Sequence, residues 1–398
     1  MNHLKQVVNK DRSVSISSES SSPTSKGSVL RGLKLIIDAR KVHDGGIGRY
    51  IQNLLDGLDA FTSLEITVIC FPQDTLFFYE RYDGRVATFP STIKLYSLGE
   101  LFGLSRAVPW KKYDLAHFPH FTVPYGISIP TVVTIHDLIQ ITNPEKWYYP
   151  YIGRTYIRNA LHNGKTVIAV SNQTAKQLLP FNSKGVPIRV IPNSLSRSTD
   201  ESEARSEAIP AGVQEGFFLA VLSNSKPHKG LARLMDAYRI LSTNYEIARS
   251  RLPQCGLILV GSGAPKGSFY GGMGMGRVSE DELTWYYAHA RGVVVASDIE
   301  GFCLPIIEGR RLGVPAVVTP IPAVTEIVSK YDVVAESFSS PALAAAMAKL
   351  LNAPPPPRFA MQFELERFDL QRVTQQIIKT YEDIFKNVSA GYSTGKDL

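Results

Sequence analysis

The chain has 398 residues, 44% hydrophobic and 20% charged, with a formal net charge of +7; this length predicts two domains and the composition fits a soluble globular protein. No apolar run approaches the ~20 residues that span a bilayer, and the N-terminus lacks the apolar core of a secretory signal. Cys70, Cys255 and Cys303 have neither metal-ligand nor disulfide-framework spacing, so a reducing cytoplasm is the expected compartment. Residues 1–190 carry 22 Lys and Arg against 14 Asp and Glu, residues 191–398 carry 21 against 22, and the whole excess of positive charge lies in the first half. That suits anionic lipid or a phosphorylated acceptor, while the lack of a basic run with interleaved aromatics speaks against nucleic acid.

Residues 1–30 are Ser-rich and poor in large apolar side chains, which predicts a disordered tail. Leu35-Ile36-Ile37-Asp38 then reads as a first parallel strand, followed by the loop Asp44-Gly45-Gly46-Ile47-Gly48 and a helix from about Arg49 to Leu58. Further strands are expected at Ile66–Cys70, Leu115–Phe118, Thr131–Ile135, Val167–Val170 and Ile188–Ile191, with helices between several of them. The polar stretch 196–214 lacks periodicity and reads as a linker. A second α/β half begins at Phe217–Leu222, with strands expected at Leu257–Val260, Val293–Ala296, Ala316–Val318 and Val333–Val334. The Gly- and Met-rich stretch Gly267–Gly276 is expected to be a mobile surface loop. Pro354–Pro357 is a stiff connector, and Val373, Ile377, Ile378, Tyr381 and Ile384 form a helical stripe near the end.

The chemistry is concentrated in Glu300-Gly301-Phe302-Cys303-Leu304-Pro305-Ile306-Ile307-Glu308, two carboxylates eight positions apart. The β-branched run Gly292–Ser297 before it makes a buried strand, Gly301 permits a tight turn, and Pro305 suits a helix's first turn. Backbone N–H groups between the glutamates can hold a diphosphate, leaving one carboxylate for hydroxyls on either side. A sugar nucleotide has that layout. Gly45-Gly46-Ile47-Gly48 lets backbone approach a ligand, but it is not a Gly-x-Gly-x-x-Gly fingerprint. His117, His120 and His136-Asp137 follow strands and can project into a crevice as positioning groups, acids or bases. Lys226 and Lys229 lie in Ser223–Gly230, between a strand and a helix, where a lysine can neutralise a diphosphate.

These stretches, in order, resemble retaining glycosyltransferases of the GT-B fold, especially glycosyltransferase family 4. The resemblance covers roughly residues 33–385. It rests on the Glu-x7-Glu pattern, on Gly45-Gly46-Ile47-Gly48-Arg49-Tyr50, on Pro227-His228-Lys229-Gly230 and on Val260-Gly261-Ser262-Gly263. It also takes in Asp114–Phe121, Val132–Leu138, Val167–Ser171, Val190–Ser194 and the stretches from Gly313 and Pro322. What it implies is two Rossmann-like α/β domains facing across a cleft, at 31–195 (acceptor side) and 215–365 (donor side). A helix at 366–388 would cross back to the first domain. It further implies transfer of a hexosyl group, mannose among the candidates, from a nucleoside-diphosphate sugar with retention and without a required metal.

Glu300, His136, Asp137 and His120 are the catalytic candidates. Gly46, Gly48, Arg49, Lys226, Lys229, Gly301, Phe302, Cys303, Leu304 and Glu308 are the donor-binding ones, with Glu300 on the transferred sugar, Glu308 on the ribose and Lys229 on phosphate. Val278–Leu283 resembles the segment that wraps the base. Two departures stand out. Cys303 occupies a position where many relatives have Gly, and Ser223-Asn224-Ser225 lacks the arginine many carry before the lysine, leaving Lys226 or Arg49 to replace it. That missing arginine keeps open a catalytically degenerate nucleotide-sugar-binding protein; a GT-B nucleotide-sugar epimerase is a further alternative. The expected acceptor is a saccharide or lipid-linked saccharide in polysaccharide assembly, reached at the inner face of a membrane through the basic half.

Overall fold

The computed structural model describes residues 30–61, 63–196 and 213–393, with side chains to residue 386. The Ser-rich tail and most of the expected linker lie outside the described residues. At their described ends, Leu30 is buried in the first domain's core and Val213 packs in the second's.

Seven parallel strands build the first sheet: β1 (Leu33–Asp38), β2 (Leu64–Cys70), β3 (Val86–Pro90), β4 (Leu115–Phe118), β5 (Thr131–Ile135), β6 (Thr166–Ala169) and β7 (Ile188–Val190). Their order is β3-β2-β1-β4-β5-β6-β7, so the winding reverses between β1 and β4. The second sheet contains β8 (Phe218–Val221), β9 (Leu257–Val260), β10 (Lys266–Phe269), β11 (Gly272–Gly276), β12 (Gly292–Val295), β13 (Ala316–Val318) and β14 (Val333–Val334). Its order is β10-β11-β9-β8-β12-β13-β14, and the reversal falls between β8 and β12. In open α/β sheets such reversals open a crevice at the strands' carboxyl ends.

Both sheets are covered on two faces, which is why their strands read as unbroken apolar runs rather than alternating ones. Along β1, Leu35 and Ile37 enter one core and Ile36 the opposite one; around β8, Phe217 and Leu219 point one way while Phe218 and Ala220 point the other. The final helix, Leu370–Ser393, buries Val373, Ile377, Tyr381 and Ile384 in the first domain's core, each side chain adding about 2 kcal/mol of transfer free energy. It lies against the helix Gly45–Asp59, where a Cβ on Gly57 would fall within 1.9 Å of Thr374 Oγ1, so only glycine admits that crossing. Arg189 on β7 grips it from the side through Asp383 at 2.6 Å. The return of the last helix to the first domain is therefore a packed contact.

Three sequence expectations change. The stretch Gly267–Gly276 is not a loop but most of a hairpin, β10 antiparallel to β11, with β11 parallel to β9. Glycine weakens strands by composition, yet here it is needed sterically: a Cβ on Gly274 would lie 1.9 Å from the Pro265 carbonyl oxygen. The first helix begins at Gly45, not Arg49, so the glycine loop is its opening turn. Finally, the edge strand β3 was invisible to patterning because only Val86 of its five residues is buried.

Candidate active site

A cleft of about 1160 Å³ separates the two sheets and is lined from both domains. Gly45, at the start of the first helix, faces Ser223 of the second domain, with a Cβ–Cβ distance of 3.6 Å for a side chain built there. Asp44 does not cap that helix; its carboxylate instead accepts from Lys41 Nζ at 3.0 Å. Gly46 and Ile47, whose first-turn N–H groups have no intrahelical acceptor, line the cleft. Gly48 sits behind them, where a Cβ would meet the Val42 carbonyl oxygen at 2.4 Å, and it does not reach the cleft surface.

On the opposite wall, Glu300 and Glu308 flank the start of the helix Leu304–Arg311, and both face the cleft. Lys229 Nζ meets Glu300 Oε1 at 2.7 Å, and Ser297 Oγ donates to the same oxygen at 2.7 Å. Burial by itself would lower the Lys229 ammonium, but the Glu300 carboxylate outweighs it and raises its pKa, so this lysine stays charged at neutral pH. Glu308 is held by the Tyr287 hydroxyl, which donates to Oε2 at 2.7 Å. Arg49 crosses from the first domain to lie 3.8 Å from Glu308 Oε1 and to pair with Glu280. Glu280 stands in the first turn of a helix whose capping box, Ser279 with Glu282, fixes where it starts. Lys226 also bridges the domains, to Glu145 at 3.0 Å.

Cys303 precedes the helix with φ +81°, a left-handed conformation that costs a side chain on the order of 1–3 kcal/mol and that glycine adopts freely. Burial raises its thiol well above the ordinary range. Gly301 lets the backbones of the two domains approach closely: a Cβ there would lie 1.9 Å from the His136 carbonyl oxygen. Glu326 adds a further tie, its carboxylate accepting from the backbone N–H groups of Asn172 at 2.8 Å and Gln173 at 2.7 Å.

His136 and Asp137 form the floor on the first-domain side. Burial lowers the His136 pKa to about 4, so its imidazole is neutral at pH 7. Its Nε2 lies 3.0 Å from the Pro119 carbonyl, which makes Nε2 the donor and leaves Nδ1 as the acceptor. Asp137 is raised by burial and then by the Glu300 charge, while its Oδ1 accepts from the Ile139 N–H at 3.0 Å.

The structure thus gathers Glu300, Glu308, Lys229, Lys226, Arg49, Gly46, Gly301, Phe302, Cys303, Leu304, His136 and Asp137 around one cleft. His120 is not among them. It is 1% exposed and turned inward, bonded to Asp38 Oδ2 at 3.2 Å and to Thr122 Oγ1. A histidine at a strand's end can face either the crevice or the core, and the buried Asp38 draws this one in. His117 is likewise buried, between Thr134 and Tyr381. Sequence reasoning missed Tyr287 and Ser297, whose partners stand 21 and 3 residues away, while Glu280, 231 residues from Arg49, lies in the Val278–Leu283 segment likened to the one that wraps the base. Only the aromatic run Trp285-Tyr286-Tyr287 hinted at one of them.

Residues 44–198 match the family described as Glycosyltransferase Family 4, and residues 216–353 match Glycosyl transferases group 1. The O-antigen chain mannosyltransferase B of Escherichia coli is 27% identical over 264 residues, 61% of this chain and 66% of that protein. The O-antigen chain mannosyltransferase RfbU of Salmonella typhimurium is 24% identical over 221 residues, 53% of this chain and 57% of that protein. The match thus spans a little under two thirds of the first relative's length and just over half of the second's. Among solved structures, Anabaena HepE in complex with UDP and glucose superposes with a TM-score of 0.66 at 19% identity, covering 88% of this chain and 100% of HepE. Two parallel α/β domains with the cleft between them and the last helix returned to the first are the GT-B fold, and the chain belongs to the glycosyltransferases of family 4 and group 1.

Proposed function

We propose that this cleft transfers a hexosyl group from a nucleoside-diphosphate sugar to an acceptor hydroxyl with retention of anomeric configuration. The observation that carries the reading is the pairing of Glu300 with Lys229 on one side of the helix start, and of Glu308 with Tyr287 and Arg49 on the other. A diphosphate seated at that helix start and opposite Gly46 would lie among preorganised N–H groups and two cations. Lys229 would turn from Glu300 to the phosphates, where charge grows as the sugar departs, and Glu300 would be released to hydrogen-bond the sugar's hydroxyls. Glu308, already fixed by Tyr287, would take the ribose. Neutral His136 offers Nδ1 as an acceptor, and Asp137 with its raised pKa lies beside it. Arg49 or Lys226, both lining the cleft, would supply the charge of the missing arginine. No metal is assigned a part in this scheme.

The mannosyltransferase relatives support mannose as the first sugar to test and a polysaccharide of O-antigen type as the acceptor. The basic first half supports an acceptor carried on a phosphate-linked lipid at a membrane surface. No helix among the described residues is long and apolar enough to cross a membrane.

Thermal unfolding against GDP, UDP, dTDP, ADP and CDP, with NAD as control, tests the site. A diphosphate at 100 times its Kd adds about 2.7 kcal/mol, enough to raise the midpoint by a few degrees. NMR of the glycosidic product then reads the anomeric configuration, and an inverted product overturns the retention. Diphosphate binding without turnover on any hexose donor would instead support a degenerate binding protein, the reading the Ser223-Asn224-Ser225 departure favours.

A further inference from the structure

Trp147 is 82% exposed, although tryptophan is a side chain that proteins ordinarily bury over most of its surface. It is the outer member of a strip at the cleft mouth. Its ring stands 5.8 Å from that of Tyr148 and 6.5 Å from that of Tyr151, and Tyr148 is edge-on to Tyr149 at 5.1 Å. Lys146 caps the inner pair, its ammonium 5.7 Å from the Tyr148 ring and 5.9 Å from the Tyr149 ring. Tyr148 and Tyr149 line the cleft itself, so the strip runs without a break from solvent to the site. Its base is anchored across the cleft by Glu145 to Lys226, in the same loop as Lys229.

We propose that this strip is a saccharide-binding platform that seats the acceptor chain and aims its terminal hydroxyl into the cleft. The inference rests on the sugar-transfer reading above. A pyranose presents an apolar face of C–H groups, which the negative face of an aromatic ring attracts, and a rim of hydroxyls, which the tyrosine hydroxyls and the indole N–H can meet. Three of the four rings are tyrosines, so each apolar face comes with a polar tip. A bilayer would meet Trp147 and Tyr151, which lie outside the cleft, whereas a single extended oligosaccharide can follow the rings inward to Tyr148 and Tyr149 between the domains. The platform belongs to the first domain, opposite the wall that carries Glu300.

Trp147 also supplies its own reporter, because Trp110 and Trp285 are 4% and 1% exposed. Titrating the full chain with soluble manno- and galacto-oligosaccharides of increasing length should shift tryptophan emission to the blue and protect it from acrylamide. Both effects should vanish in Trp147→Phe. Trp147→Ala should raise the acceptor KM roughly 3- to 10-fold, the loss expected for one aromatic stacking contact, with the UDP or GDP midpoint shift kept. A blue shift with anionic phospholipid vesicles but none with oligosaccharide would overturn the proposal in favour of a membrane contact. Silence towards both probes would overturn it outright, and neither result touches the diphosphate shift on which the sugar-transfer reading depends.

Discussion

The two domains each reverse their winding once at the centre of the sheet, and at those reversal points they use the ends of their strands in opposite ways. At the first domain's reversal point the charges turn inward. Asp38 ends β1 and pairs with Arg40 at 2.6 Å, Arg40 reaches Glu100 at 2.7 Å, and all three side chains are fully buried. Burial alone would raise the Asp38 carboxyl, yet the Arg40 guanidinium and His120 hold it well below the usual carboxylate range. At the second domain's reversal point the carboxylates of Glu300 and Glu308 face the cleft, 13% and 15% exposed, and are held by one cation each. Complete internal pairing makes a rigid floor. Partial pairing leaves groups that a ligand can recruit. On the proposed reading, the charges at the first domain's reversal point shape the site, while the second's carboxylates join His136 and Asp137, which follow β5, in facing the cleft.

The comparison breaks most readily at Asp38. Asp38→Ala leaves Arg40 buried with Glu100 alone and should cost about 3–5 kcal/mol of stability in urea unfolding. A loss under about 1 kcal/mol would show that the inward cluster is not holding the floor. Glu300→Gln makes the opposite prediction: turnover falls on the order of 10²–10³-fold, while the thermal midpoint barely moves. An equal loss of stability and activity would erase the distinction between the two ends.

The smallest effect comes from pH. Burial lowers the His117 pKa from 6.5 to about 3 in the folded chain, so below pH 6.5 the unfolded chain takes up the proton first. Stability from His117 is therefore complete well above pH 6.5 and falls as pH drops towards 3, a loss on the order of 1 kcal/mol by pH 5.5. His117→Gln should flatten that slope in a series of unfolding curves, and an unchanged slope would mean that His117 is already charged in the fold.

Much of the fold was legible because two-sided burial writes itself as aliphatic runs: β1, β5, β9, β12 and β13 stand in the sequence as largely apolar stretches with Gly, Pro or Asp close by. The Glu300–Glu308 junction and the Lys229 loop were legible as well, since each is a local pattern at a strand's end, whereas the first helix was expected from Arg49 and starts at Gly45, because glycines read as a loop. The hairpin at Lys266–Gly276 was hidden because glycine's steric use cannot be told from its looseness by composition. The histidines could be placed at strand ends but not given a direction, and what settled each was a distant partner: Asp38 for His120, Tyr381 for His117, the Pro119 carbonyl for His136. Short-range chemistry determined which segments fold into strands and helix starts. Which of their polar groups meet the cleft, and which disappear into the core, only the tertiary structure decided, because a buried charge goes wherever its counter-charge has been packed.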